Sequence, residues 1–305
     1  MSRLACVFPG QGSQSVGMLA DLAENFPSVK TTFEEASEAL SYDLWALTQS
    51  DDVDKLNQTH ITQPALLTAS IAAWRVLTSE KELSVEYLAG HSLGEYSALV
   101  AAQVVELNKA VKLVEARGKF MQSAVPAGTG AMYAIIGLDD DIISQICQDT
   151  ASEMNQVVAP VNFNSPGQIV IAGNKEATQT AGEACKAAGA KRALPLAVSV
   201  PSHCALMKSA ADELAQLLDD MPFQTPQIKV VNNVDVAVES GANEIKHALV
   251  KQLYSPVRWT ETVQYLAEQG VDSIIEVGPG KVLSGLNKRI DKSLALSSFN
   301  SSSDL

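Results

Sequence analysis

The chain has 305 residues, 46% of them hydrophobic and 19% charged, so it carries enough apolar material for a large core and its length suggests about two domains. A formal net charge of −13 repels phosphate backbones over the whole surface and argues against nucleic-acid binding, while an acidic protein partner would need a local basic patch. Cys6, Cys147, Cys185 and Cys204 are scattered without C-x-x-C or metal-ligand spacing, so neither a disulfide framework nor a metal site is implied, and a reducing cytoplasm fits best.

The first apolar run, residues 4–8, reads as a short buried strand and is too brief for a signal-peptide core, so no export is expected. A Gly-rich turn and helical segments follow to about residue 40. The turn, Phe8-Pro9-Gly10-Gln11-Gly12-Ser13-Gln14, resembles a dinucleotide loop only superficially. Ser15 stands where the third glycine of G-x-G-x-x-G belongs, and no phosphate-loop lysine follows, so cofactor binding there is not expected. Its glycines would let the Gln11 backbone N–H approach a ligand, the alternative being a plain strand-to-helix turn. Residues 62–77 read as a helix with Pro64 in its first turn. The longest apolar tract, near residues 98–105, is interrupted by Gln103 and falls far short of the roughly 20 residues that span a bilayer, so no membrane role is expected.

Gly90-His91-Ser92-Leu93-Gly94 follows the run Tyr87-Leu88-Ala89 and opens an apolar helix, which puts a serine at a sharp strand-to-helix turn of the nucleophile-elbow type. A Cβ at either glycine would meet the neighbouring strand or helix. Free N–H groups and the positive helix end would face an oxyanion formed when Ser92 attacks a carbonyl, so acyl chemistry is expected. Residues 107–122 are a further helix.

After the linker signal Pro126-Ala127-Gly128-Thr129-Gly130 the pattern changes. Strands at 131–137, 157–164, 168–172 and 192–197 and helices at 139–153 and 175–188 give the order β-α-β-β-α-β, with Ser165-Pro166-Gly167 joining the middle strands as a hairpin. The segment reads as a small ferredoxin-like module inserted into a parallel α/β domain, with a cleft between the two as the expected site. Beyond it come a helix at 205–218, a strand at 228–234, helices at 244–253 and 260–269, a buried strand at 273–277, and the turn Gly278-Pro279-Gly280 into a last helix. The Ser-rich residues 297–303 are expected to fray.

Four histidines limit the choice of base. His203 stands at the start of the 205–218 helix, with Ser202 as its expected N-cap. A helix N-terminus disfavours imidazolium and would leave His203 neutral and able to take the Ser92 proton. The alternative is a hydrogen-bonding helix-start residue. His91 is expected to point away across the elbow, His247 to lie on a helix surface, and His60 to be a cap or surface residue. Arg117 falls on the border of the stripe formed by Leu107, Val111, Val114, Gly118 and Met121. Its charge needs an anion there, either an internal carboxylate such as Glu95 or the carboxylate of a substrate.

Together with Asn162-Phe163-Asn164-Ser165-Pro166-Gly167-Gln168, Pro201-Ser202-His203 and Glu276-Val277-Gly278-Pro279-Gly280, these motifs resemble the malonyl-CoA:acyl-carrier-protein transacylases of bacterial fatty-acid synthesis, in the same order from about residue 3 to 290. The resemblance implies an α/β-hydrolase-like core (1–127 and 198–305) with a ferredoxin-like subdomain (128–197). It implies Ser92 as the acylated nucleophile, His203 as its base, Arg117 as the malonyl-carboxylate partner and the N–H groups of Gln11 and Leu93 as the oxyanion hole. Gln252 matches the residue whose main-chain carbonyl orients the histidine, so the site works as a Ser–His dyad, in line with the lack of a convincing triad acid; Asp139, Asp140 and Asp141 lie at a polar helix start.

The implied reaction is ping-pong. Coenzyme A thioester is a substrate, holo acyl carrier protein the acceptor, and no cofactor or metal is permanently bound. Candidate basic contacts for the acidic carrier are Lys191 with Arg192, and Lys281 with Lys288 and Arg289. Many relatives carry Phe immediately before the histidine, a residue associated with excluding methylmalonyl; here Ser202 leaves that selectivity open. A serine esterase or thioesterase would use the same elbow but should add a triad acid, a polyketide acyltransferase would share the chemistry, and a non-catalytic carrier-binding module would not need Ser92 or His203.

Overall fold

The computed structural model describes residues 3–198 and 200–305. In the first part of the chain, strand β1 (Leu4–Phe8) leads through helices α1 (Ala20–Asn25), α2 (Ser28–Leu40), α3 (Leu44–Gln49), α4 (Val53–Leu56) and α5 (Thr59–Glu80) to strand β2 (Val85–Gly90), then to α6 (Leu93–Ala101) and α7 (Leu107–Ser123). A middle module follows: β3 (Gly130–Ile136), α8 (Asp140–Met154), β4 (Val158–Ser165), β5 (Gln168–Asn174), α9 (Lys175–Ala187) and β6 (Arg192–Pro195). The chain then returns through α10 (Lys208–Asp219), β7 (Lys229–Val231), α11 (Ala242–Gln252), α12 (Trp259–Glu268), β8 (Ser273–Val277), α13 (Val282–Ile290) and β9 (Ala295–Phe299).

Strands from the two outer parts form one five-stranded sheet in the order β7-β2-β1-β8-β9, parallel throughout. The module forms a separate antiparallel sheet in the order β4-β5-β3-β6, the arrangement of a ferredoxin-like βαββαβ unit. The fold is therefore an α/β-hydrolase-like parallel core carrying a ferredoxin-like insert.

The buried runs of β1 and β2 are apolar end to end because helices cover both faces of the parallel sheet. Helix α5 packs against α2, α6 and α7 and is buried on most of its circumference. Gly118 of α7 lets that helix approach closely, since a Cβ there would lie 2.6 Å from His60 Cα. This close approach places Arg117 against Gln63 of α5.

Strand β4 of the small sheet is stitched to the larger part of the chain around the start of α12. Phe163 N–H donates to Val257 O (2.9 Å), Val257 N–H donates to Val161 O (2.9 Å), and Thr260 Oγ1 donates to Phe163 O (3.1 Å). On the inner side of the small sheet, Met132, Val161, Val170 and Ala172 form an apolar cluster with Cys204. That cluster anchors the loop that carries His203.

Several local expectations need correction. The helix at 62–77 begins at Thr59, so Pro64 sits in its second turn, where its missing N–H removes one i→i−4 bond. The helix expected at 205–218 starts with a 3-10 turn, Ala205–Met207, before α10, and no side chain caps that turn. Ser202 is not the N-cap; its hydroxyl lies 3.5 Å from Val200 O. The strand expected at 228–234 is paired only over Lys229–Val231. The Ser-rich tail does not fray: Ala295–Phe299 pairs in register with β8, and Ser302 N–H and Oγ both donate to Asp21 (2.6 and 2.7 Å). A serine-rich strand is stable here because it is an edge with one buried anchor, Phe299.

Candidate functional site

The site forms where the C-terminal ends of the central parallel strands open toward the small sheet, the usual ligand-binding end of such sheets. Ser92 follows β2 with φ 51° and ψ −106°, a strained backbone for a residue with a side chain. The flanking glycines make that turn possible. A Cβ on Gly90 would lie 1.9 Å from Gly94 C, and one on Gly94 would lie 2.1 Å from Phe8 O. Asn233, just past β7, holds the elbow from the other side: its Oδ1 accepts from Ser92 N–H (2.7 Å) and its Nδ2 donates to Gly90 O (2.7 Å).

His203 faces Ser92, with 2.8 Å between Nε2 and the serine Oγ. Its Nδ1 lies 2.7 Å from the main-chain carbonyl of Gln252. A carbonyl only accepts, so the proton sits on Nδ1 and Nε2 is bare, the tautomer able to take the serine proton. The backbone of His203 is also in the left-handed region (φ 64°), fixed by its N–H donating to Leu253 O (2.9 Å). Burial pushes the His203 pKa down to about 3, helped by the Arg117 charge and opposed by the Gln252 carbonyl. The imidazole is neutral as expected from sequence, but desolvation and a neighbouring cation cause this, not a helix start.

Arg117 is not on the border of its helix's apolar face but inside it, 1% exposed. Nη1 donates to Gln63 Oε1 (2.8 Å), and Nη2 donates to Gln252 Oε1 (2.9 Å) and to Ser92 Oγ (3.3 Å). Its carbon lies 5.3 Å from the Tyr96 ring centroid, and among the described residues Nε has no hydrogen-bond partner. Glu95 does not pair with it directly. Gln252 stands between them, giving Nε2 to Glu95 Oε2 (2.8 Å). The guanidinium thus meets only neutral partners and retains donor capacity beside the serine hydroxyl.

A cavity of about 310 Å³ opens over these groups, lined by Gln11, Ser92, Leu93, Arg117 and His203 on the core side and by Val170, Val198 and Leu196 on the other. The N–H of Gly94 is bonded to His91 O and that of Glu95 to Ser92 O, while the Leu93 N–H at the start of α6 makes no backbone bond among the described residues. Ser202 lines the cavity as well. Asp139, Asp140 and Asp141 lie at the start of α8 in the small module and contribute nothing to the histidine. His91 turns toward the small sheet, where Nε2 meets Asn164 Oδ1 (2.8 Å), yet it lines the same cavity. His60 bonds Gln122 (2.8 Å), and His247 is exposed on α11.

Sequence reasoning missed Gln63, Asn233 and the central position of Glu95. Gln63 was signalled by being a polar residue in an otherwise apolar helix, and Asn233 by standing directly after a parallel strand, as do Gln11 and Ser92.

An elbow serine on a parallel core, paired with a histidine under a ferredoxin-like lobe, defines an acyl transferase domain, and residues 5–295 match the family model of that description. The chain is 62% identical to the malonyl CoA-acyl carrier protein transacylase of Escherichia coli K12 over 98% of its length and 96% of that protein, and 47% identical to the Bacillus subtilis 168 transacylase over 96% and 92%. Among solved structures, it is similar to an acyl carrier protein S-malonyltransferase from Vibrio cholerae (TM-score 0.97, 62% identity, 99% of this chain and 98% of that one). It is also similar to a malonyl-transacylase crystallised with its type II polyketide-synthase acyl carrier protein (TM-score 0.98, 61% identity, 99% and 97%). The chain belongs to the malonyl CoA-acyl carrier protein transacylase family.

Proposed function

We propose that this chain moves a malonyl group from coenzyme A to the phosphopantetheine thiol of acyl carrier protein, for fatty-acid synthesis, through a malonyl ester on Ser92. The observation that carries this reading is the meeting of three groups at one oxygen: Ser92 Oγ lies 2.8 Å from His203 Nε2 and 3.3 Å from Arg117 Nη2.

In the first half-reaction, Oγ attacks the thioester carbonyl carbon while its proton passes to His203 Nε2, and the carbonyl π electrons move onto oxygen. The N–H groups of Gln11 and Leu93 receive that oxyanion, assisted by the N-terminal end of α6. Collapse breaks the C–S bond, and the departing thiolate takes the proton from Nε2. In the second half, the carrier thiol gives its proton to Nε2 and attacks the ester; Oγ leaves and regains the proton. The Gln252 carbonyl holds the imidazole in one tautomer throughout. Arg117 receives the distal carboxylate of malonyl, a direct anionic partner that its hydrogen-bonded neighbours Gln63, Gln252 and Ser92 do not supply.

Coenzyme A is a substrate in this scheme, and no step calls for a resident cofactor or metal. Residues 1–127 and 198–305 form the catalytic core and 128–197 the small lobe; residues 1, 2 and 199 of these spans lie outside the described residues. Lys191, Arg192, Lys281, Lys288 and Arg289 are all exposed and are proposed to meet the acidic carrier. Among the described residues no helix is long and apolar enough to cross a membrane. The four cysteines are free and buried, which supports a cytoplasmic location.

A thioesterase would require an acid on His203 Nδ1, where a main-chain carbonyl stands. The test is to mix the protein with malonyl-CoA and either holo or apo carrier protein. Malonyl appearing on the holo form alone is expected; free malonate released at a rate indifferent to the acceptor would reject transfer.

A further inference from the structure

Glu95 lies on α6, three residues after the nucleophile, and is 2% exposed. One of its oxygens, Oε2, accepts two hydrogen bonds, from Asn233 N–H (2.9 Å) and from Gln252 Nε2 (2.8 Å). Those two donors belong to the residues that hold the two reacting groups. Asn233 grips the elbow through Ser92 N–H and Gly90 O. Gln252 holds the base through its carbonyl on His203 Nδ1, reaches Ser92 O with Nε2 (3.1 Å), and accepts from Arg117 with Oε1.

We infer that Glu95 is a positioning residue for acyl transfer: its Oε2 joins the segment that fixes Ser92 to the segment that fixes His203, and so sets their separation. This rests on the acyl-transfer reading above. Residues 95, 233 and 252 come from three separate segments, and among the described residues no other side chain bonds both Asn233 and Gln252. Removing the acceptor strands the buried Asn233 N–H and one of the two Gln252 Nε2 hydrogens, the other still meeting Ser92 O, and each stranded group must move or rotate to find a partner. The Asn233 movement would relax the strained elbow, and the Gln252 rotation would shift the carbonyl under the imidazole. The Gln252 rotation also frees Arg117 Nη2, but Gln63 still holds Nη1, so the malonyl-binding guanidinium stays in place while the reacting pair is displaced. Burial also pushes the Glu95 carboxyl up to about 7, opposed by these two donors and by the Arg117 charge. The position therefore holds a carboxyl group against a desolvation cost.

The test compares Glu95→Met, similar in length but without an acceptor, with Glu95→Gln, which keeps one. Single-turnover malonylation of Ser92 is followed by rapid quench and intact mass across malonyl-CoA concentrations, with thermal melting alongside. The maximal rate of Glu95→Met is expected to fall ~10²-fold with half-saturation within about 3-fold of the parent, and Glu95→Gln to stay within about 5-fold in rate. Equal loss in both variants, a shift in half-saturation instead of rate, or a parental rate in a folded Glu95→Met would overturn the assignment. Should Glu95→Met not fold, Glu95→Asp, which withdraws the carboxylate by one methylene, is expected to show the same rate loss, and a parental rate there would overturn it equally. A parent that forms no adduct on Ser92 would sink the acyl-transfer reading itself; a parent that does, with an unaffected Glu95→Met, sinks only the role of Glu95.

Discussion

Replacing Arg117 by alanine removes a cation that touches Ser92 Oγ. The guanidinium is 1% exposed, meets Gln63, Gln252 and Ser92 as neutral acceptors, and keeps Nε unpaired. A malonyl carboxylate reaching it would gain two charge-assisted hydrogen bonds of ~1.5–3 kcal/mol each. Their loss amounts to about 3–6 kcal/mol, or ~10²–10⁴-fold in kcat/KM for malonyl-CoA. Acetyl-CoA presents no distal carboxylate and forfeits neither bond. Its kcat/KM is expected to fall by no more than about tenfold, from disturbance of Gln252 and hence of the base. The assay measures transfer from malonyl-CoA and acetyl-CoA to holo carrier protein with the same Arg117→Ala preparation, corrected for folded fraction by melting. A similar loss for both donors would refute the carboxylate clamp and leave Arg117 a structural residue.

Acidity should affect stability and rate in separable ways. The ordinary His203 value of 6.5 falls to about 3 in the fold, so the unfolded chain binds that proton first; its contribution to stability is complete above 6.5 and is lost as pH falls toward 3. In Glu95→Gln, where the buried acid of the site is removed from titration, the acylation rate should accordingly stay level from pH 8 down to about 5, and an inflection near 6.5 in that variant would contradict this. Glu95 has the opposite sign, with a value of 4.5 raised to about 7, so its contribution is complete below 4.5 and lost as pH rises through 7. Glu95→Gln should therefore gain more in melting temperature than the parent between pH 5 and 7, and equal gains would count against the buried carboxyl. Gly94→Ala would force a Cβ to 2.1 Å from Phe8 O, so a loss of about 3 kcal/mol in denaturant unfolding, together with loss of acylation, is expected; a parental melting curve would show that the elbow tolerates a side chain.

The elements that sequence revealed best are those with local causes. The β2–α6 elbow, the βαββαβ order and the Pro166-Gly167 hairpin follow from glycine placement and apolar periodicity, and β8 has the expected bounds, Ser273–Val277. Ser92 was legible because its neighbours are glycines, and His203 because few histidines compete. What could not be read is set by contacts between distant segments. The serine-rich strand β9 owes its existence to pairing with β8, and the burial of Arg117 to the Gly118 contact with α5. The Asn233 grip on the elbow spans 141 residues, and the Glu95 link to Gln252 spans 157. The neutral state of His203 was anticipated with the wrong cause, because desolvation depends on a cavity wall drawn from the other lobe.

The most direct measurement is intact mass with peptide mapping after brief exposure to malonyl-CoA, followed by addition of holo acyl carrier protein. One malonyl group should appear on Ser92, persist in the absence of an acceptor, and vanish as the carrier gains the same mass; Ser92→Ala should gain nothing. A malonylated carrier produced by Ser92→Ala at the parental rate, or an adduct mapping to any other residue, would contradict the account.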